Sequence, residues 1–333
     1  SATLDLFNLG INAKTIGTDL IYRNKIIKIQ MIKSNISIKS FLIDKFALTG
    51  IFISTKSLAI KDLITIVRLI NNDPKLFIAE QFIKNGYLVA DLKLEFDEIG
   101  NIKNNYRFNG FVKDGKISLF KKYELNKIDF IFEITKKNFK FNDVKLSLNN
   151  KNILIPELIA LKQNKEYLIS GKLNTKNISL TKNEINSFIN EGHLGLDVQE
   201  ISFSSKNNFE FKINKNLKIK NLDIKSNIDL DNFKLKNSLK LKNIFPKIKK
   251  NIIFKNQKIK LEYKKDNLSI VGVGEVFLQN KRALANSYKT FFDKEGIKFR
   301  QENPGKSKKS KKIQEIQEIR TNSEMTLDPG IGS

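Results

Sequence analysis

Apolar and polar residues alternate along most of the chain. Ile128, Phe130, Phe132 and Ile134 fall on one side, with Asp129, Ile131, Glu133 and Thr135 on the other. Phe209, Phe211 and Ile213 alternate with Asn208, Glu210, Lys212 and Asn214, and Ile259, Leu261 and Tyr263 alternate with lysines and Glu262. Val144, Leu146 and Leu148 repeat the pattern. A period of two, carried by β-branched and aromatic residues against charged ones, predicts strands with one dry and one wet face. Such strands recur about every 10–14 residues, which predicts a long antiparallel meander. Turns are expected at Lys113–Gly115 and Lys264–Asn267, and at the Asn-Asn and Lys-Asn pairs between apolar runs.

Four stretches depart from this period. Ser57 to Asn71 spaces Leu58, Leu63, Ile66, Val67 and Ile70 as a helix does, with Asn72-Asp73-Pro74 as its stop. Lys75 to Lys84 reads as a second short helix, closed by Asn85-Gly86. Thr181 to Asn190 carries a capping box, Thr181 with Glu184 three positions on, and Gly192 beyond its end. Asn280 to Phe292 is a fourth helical stretch. The expected organisation is strand repeats over 1–56, a helical insertion over 57–84 and a repetitive antiparallel sheet over 85–278. A helix over 279–299 and a basic tail over 300–333 complete it. The fold class is mostly β: a meander forming a curled, groove-like sheet with a few short helices.

Composition narrows the chemistry. Lys and Arg number 60 against 35 Asp and Glu, a formal charge of +25, with no Cys, no Trp and one His. The absence of Cys removes disulfide scaffolds, thiolate zinc sites, iron–sulfur clusters and thiol nucleophiles. A single His cannot supply a multi-histidine metal cage. His193, between Gly192 and Leu194, has neither a G-x-S-x-G elbow nor an acid partner nearby in sequence, and reads as a turn residue. Asp97 and Glu98 precede Gly100 in a turn, and the GxG at Gly272–Gly274 marks a bulge or bend inside a strand. No catalytic residue, metal or cofactor is assigned. The positive charge is spread along nearly every strand rather than clustered, as on a solvated sheet face whose lysines also discourage edge-to-edge pairing. No run approaches the about 18 apolar residues of a membrane span.

A sheet of many dry faces with few covering helices must close, fold over, or curl so that its dry faces look at each other across a groove. In the last case the apolar sets would line a surface for acyl chains: Ile128, Phe130, Phe132 and Ile134; Phe209, Phe211 and Ile213; Ile259, Leu261 and Tyr263. Two other readings stay open. One is a structural or adhesive envelope β protein whose dry faces are its own core. The other is a basic module for nucleic acid or another polyanion, with affinity falling steeply in salt.

The stretch from Leu48-Thr49-Gly50-Ile51 onward carries a family style over residues 45–180. It includes Asn85-Gly86-Tyr87-Leu88-Val89-Ala90, Asn109-Gly110-Phe111-Val112 and Ser170-Gly171-Lys172-Leu173, strands in which Gly precedes an apolar residue at short remove. Over residues 45–280 the chain resembles the AsmA-like proteins of diderm bacteria, in particular the YhdP type. The resemblance implies a fragment of a repetitive β-groove protein anchored in the inner membrane by a helix. Such a protein spans the periplasm and conducts phospholipid toward the outer membrane without enzymatic chemistry. The implied partners are phospholipid, the membrane through an anchor outside this sequence, and other envelope proteins.

Overall fold

The structure, a computed structural model, describes residues 1–7, 9–22, 25–70, 77, 80–119, 123–188, 197–214, 216, 218–236, 251–264, 267–278, 281–293 and 296–302. The expected tail beyond residue 302, His193 and Gly192 lie outside the described residues. The elements in chain order are β1 (Ala2–Asp5), β2 (Gly10–Ile16), β3 (Asp19–Tyr22), β4 (Lys25–Ser37), α1 (Ile38–Leu42), β5 (Leu48–Thr55), β6 (Leu58–Ala59) and α2 (Ile60–Ile70). They continue as β7 (Ile83–Glu95), β8 (Arg107–Leu119), β9 (Tyr123–Ile134), β10 (Asn138–Leu148), β11 (Lys151–Gln163), β12 (Glu166–Thr181) and α3 (Lys182–Phe188). The last are β13 (Asp197–Asn214), β14 (Ile219–Lys236), β15 (Asn251–Lys264), β16 (Asn267–Leu278), β17 (Lys281–Asp293) and β18 (Gly296–Glu302).

The chain is mostly β, an antiparallel meander with a few short helices. Most neighbours pair as hairpins, as in Lys264↔Asn267 at the expected turn between β15 and β16, while β2 pairs with β4 and β5 with β7. By its contacts the chain divides into two units. The first comprises Ser1–Ile178 and Ser204–Ile224, the second Ser179–Phe203 and the described residues from Lys225 onward.

In the first unit one face of the sheet is apolar. The register carries it from Leu88, Ala90 and Leu92 on β7 to Val112, Gly110 and Phe108 on β8, then to Phe130, Phe132 and Ile134 on β9. Phe132 faces Phe141, Phe141 faces Leu158, and Leu158 faces Gly171 across β10, β11 and β12. The core sits where α2 lies on this face. Ile60 and Leu63 pack on Leu88, Ala90, Val112 and Phe132, and Phe132 keeps only 4% of its surface exposed. The opposite face is wet, with ion pairs Arg107–Glu133 at 3.4 Å and Lys140–Glu157 at 3.6 Å. Small residues let the apolar face close up: a β-carbon at Gly110 would run into Val89 O and Ala90.

Four expectations are corrected. The helix expected over 279–299 is a hairpin of β17 and β18. Ala283, Leu284 and Ala285 favour a helix locally, but the segment pairs with β16 from Leu268↔Phe292 to Leu278↔Lys281, and that ladder overrides propensity. Lys113–Gly115 is not a turn between strands but a bulge within β8. Asn85-Gly86 does not close a helix: residues 80–82 are helical, and the pair lies inside β7, with Gly86 at φ +137°. Among the strand repeats of 1–56 stands the helix α1, started by Ser37, whose Oγ accepts from the Ser40 N–H at 3.1 Å. The capping box forms as expected: Glu184 accepts from the Thr181 N–H at 2.8 Å, and Thr181 Oγ1 accepts from the Glu184 N–H at 3.5 Å.

A candidate acyl-chain face and the crease beside it

The structure brings together two of the three expected lining sets. Phe130, Phe132 and Ile134 share the apolar face of the first unit with Phe209 and Phe211. The link is Gly171, which faces Leu158 and whose added β-carbon would lie 2.8 Å from the Phe209 Cζ. Ile213, two residues beyond Phe211, continues the alternation of β13. Aromatic rings follow one another along this face. Phe108 and Phe132 have centroids 5.0 Å apart, Phe130 and Phe141 5.7 Å, Phe139 and Tyr167 5.9 Å, and Phe209 and Phe211 6.1 Å. Phe139 reaches Tyr167 across Ala160, which is its cross-strand partner on β11 and too small to separate them.

Cover is uneven. Ile128 is buried, with its Cβ under Gly115, and Phe132 is buried beneath α2, so both serve as core rather than as exposed lining. Phe130, Ile134, Phe141, Tyr167, Phe209, Phe211 and Ile213 are half-buried. Among the described residues, α2 packs on β4, β6 and β7, and its Ile60 and Leu63 lie against the cluster that includes Val112 of β8 and Phe132 of β9. The third set, Ile259, Leu261 and Tyr263, belongs to the second unit. There it faces Gly272, Ile270 and Leu268 of β16, and its members are also half-buried.

A row of bulges crosses the first unit beside this face, and the alternation pattern gave no sign of it. Register shifts fall at Asn85/Tyr87 between β7 and β8, at Val112/Gly115 and Gly115/Ile117 between β8 and β9, at Asn142/Lys145 and Lys145/Ser147 between β9 and β10, and at Leu154/Glu157 between β11 and β12. Asp114, Lys127 and Asp143 take left-handed φ of 52°, 52° and 50° at these points, and Pro156, which has no N–H to donate, lies between the paired residues that flank Asp143. Each bulge bends its strand and sharpens the local twist. Aligned from β7 to β11, they make a crease in the sheet. Asp129 pins it: its carboxylate accepts from the Asp114 backbone N–H at 2.9 Å and from the Lys113 ammonium. Partial burial pushes the Asp129 carboxyl up, but Lys113 and the Asp114 N–H together hold it below its ordinary value, and Lys113 is raised by the same pairing. The only advance signals were polar pairs inside apolar alternation: Asp114-Gly115, Asn126-Lys127 and Asn142-Asp143.

The second unit has its own bulge, on β15 between Lys255 and Lys258, opposite Gly274. Gln257 fills it at 1% exposure, and its Nε2 donates to Lys255 O at 3.0 Å and Glu275 O at 2.8 Å, two carbonyls at the disrupted ladder. Gly274 is required there because a β-carbon would overlap the Gln257 amide. The expected strand irregularity at Gly272–Gly274 therefore has its extra residue on the partner strand.

Among the described residues no group of His, Cys, Asp or Glu is placed to hold a metal ion, and no helix is long and apolar enough to cross a membrane. No protein-family model, curated protein or solved structure matches the chain.

Proposed function

We propose that this chain is part of an AsmA-like envelope protein of the YhdP type and handles phospholipid by its acyl chains, without catalysis. Its place would be the periplasm, tethered to the inner membrane by a segment outside this sequence. The observation that carries the reading is the half-buried aromatic face of the first unit, which runs from the cluster under α2 on to Phe141, Tyr167, Phe209 and Phe211. A β face carrying Phe130, Ile134, Phe141, Tyr167, Phe209 and Phe211 offers acyl chains contact with no unsatisfied polar group, worth about 0.8 kcal/mol per methylene removed from water. Several lysines, an arginine and acids on the opposite face pair with one another, which supports a solvated exterior over a concentrated polyanion site. The aligned bulges favour curling of the sheet, as a groove requires.

Lipid extraction of the protein purified from a diderm bacterium tests this. Phospholipid is expected in stoichiometric amount, and Phe211→Asp is expected to deplete it while leaving the β circular dichroism intact. A well-folded protein free of lipid would turn the assignment to the structural reading, with the dry face covered by protein. An affinity for polyanions that collapses with salt would favour the basic-module reading.

A further inference from the structure

The turns at one end of the first unit differ in character along the row. The first three are apolar and exposed. Leu6 and Phe7 stand at the β1–β2 turn, Phe41 and Leu42 on α1, and Ile99 in the β7–β8 loop; Phe7 is fully accessible, Leu42 75% and Ile99 80%. Backbone bonds hold these turns side by side. The Ile38 N–H donates to Leu9 O at 2.8 Å, and the Phe46 N–H donates to Glu98 O at 3.0 Å, while Phe46 packs on Phe96 at 5.6 Å. The next turns along the same end are basic and exposed: Lys136 and Lys137 between β9 and β10, Lys165 between β11 and β12, and Lys218 after β13. They join the same row, since Lys136 bonds Asn104 of the β7–β8 loop and the Lys162 N–H donates to Lys137 O at 2.8 Å.

Large apolar side chains this exposed at turn tips bury little within the described fold. Their acidic neighbours are largely engaged. Glu98 pairs with Lys45, and Asp97 accepts from the Ile99 and Asn101 N–H groups at 3.1 and 2.8 Å. We infer that this end docks on an anionic lipid bilayer, the apolar turns entering the interface and the lysine turns meeting the headgroups. Amphipathic surfaces with apolar tips and adjoining lysines bind membranes through both effects, and each lysine near an anionic surface adds attraction. The inference is independent of acyl-chain handling on the sheet face, because it uses none of the same side chains.

The chain has no Trp, so Phe7→Trp introduces a single indole as a reporter. Its emission is expected to shift to the blue with vesicles of phosphatidylcholine and phosphatidylglycerol, less with phosphatidylcholine alone, and salt should weaken the binding without abolishing it. In flotation with the same vesicles, the Phe7→Asp/Leu42→Asp variant of the full chain should bind about a hundredfold more weakly, a loss set by two large apolar side chains. The Lys136→Glu/Lys137→Glu variant should lose the preference for phosphatidylglycerol. Absence of an indole shift, or wild-type flotation by the Phe7/Leu42 variant, would overturn the docking. So would sedimentation showing a dimer that the Phe7/Leu42 variant dissolves with no vesicle binding by either, since the patch would then be covered by a second copy.

Discussion

At Asp129 a carboxylate, a lysine and a left-handed backbone meet at one bulge. The ionised form accepts from both Lys113 and the Asp114 N–H, so the folded chain favours it and the carboxyl sits below its ordinary value. The sign follows: the contribution is fully present above the unfolded carboxylate range near pH ~4 and is lost as the pH falls through the depressed folded value. Urea unfolding at neutral pH should show Asp129→Asn destabilised by about 1 kcal/mol. The gap between variant and wild type should then close in acid; a constant gap would contradict the pairing. Gly274 gives a second residue-scale outcome. Gly274→Ala should cost about 1–3 kcal/mol by overpacking against Gln257. Gln257→Ala in the same chain should recover much of it. At Gly110, where backbone is the obstacle, no side-chain truncation should rescue the alanine.

Among the elements, strands were legible because a half-buried sheet writes its period of two directly into residues such as Phe130, Phe132 and Ile134. The capping box at Thr181 and Glu184 was legible for a similar reason: both partners are local. The bulges were not. Lys127 takes the left-handed conformation although its neighbour Asn126 is the residue that favours it, since the neighbouring ladders decide where the extra residue goes. β17 was misread because three adjacent helix-forming residues are local, whereas its pairing with β16 is not. Which apolar residues are core and which are open also depends on where α2 lands. Phe132→Ala, beneath α2, should therefore cost about 3–5 kcal/mol in urea unfolding. Phe211→Ala, half-buried on β13, should cost about half of that; equal losses would mean that the β13 side is covered too.

For the molecule as a whole, an apolar face left open across several strands is the feature that distinguishes a lipid-handling sheet from a filled sandwich. Phospholipid against Phe211 is a claim about contact, so contact is what should be measured. The photo-crosslinker benzoylphenylalanine would be placed singly at Ile169 and Phe211 on the apolar face, and at Lys172 and Glu210 on the wet face. The chain would be expressed in a diderm bacterium and irradiated in the cells, and each variant would then be weighed for phospholipid adducts. Adducts at Ile169 and Phe211, with none at Lys172 or Glu210, are the expected result. Adducts at neither apolar position, or equally at all four, would contradict acyl-chain handling by this face.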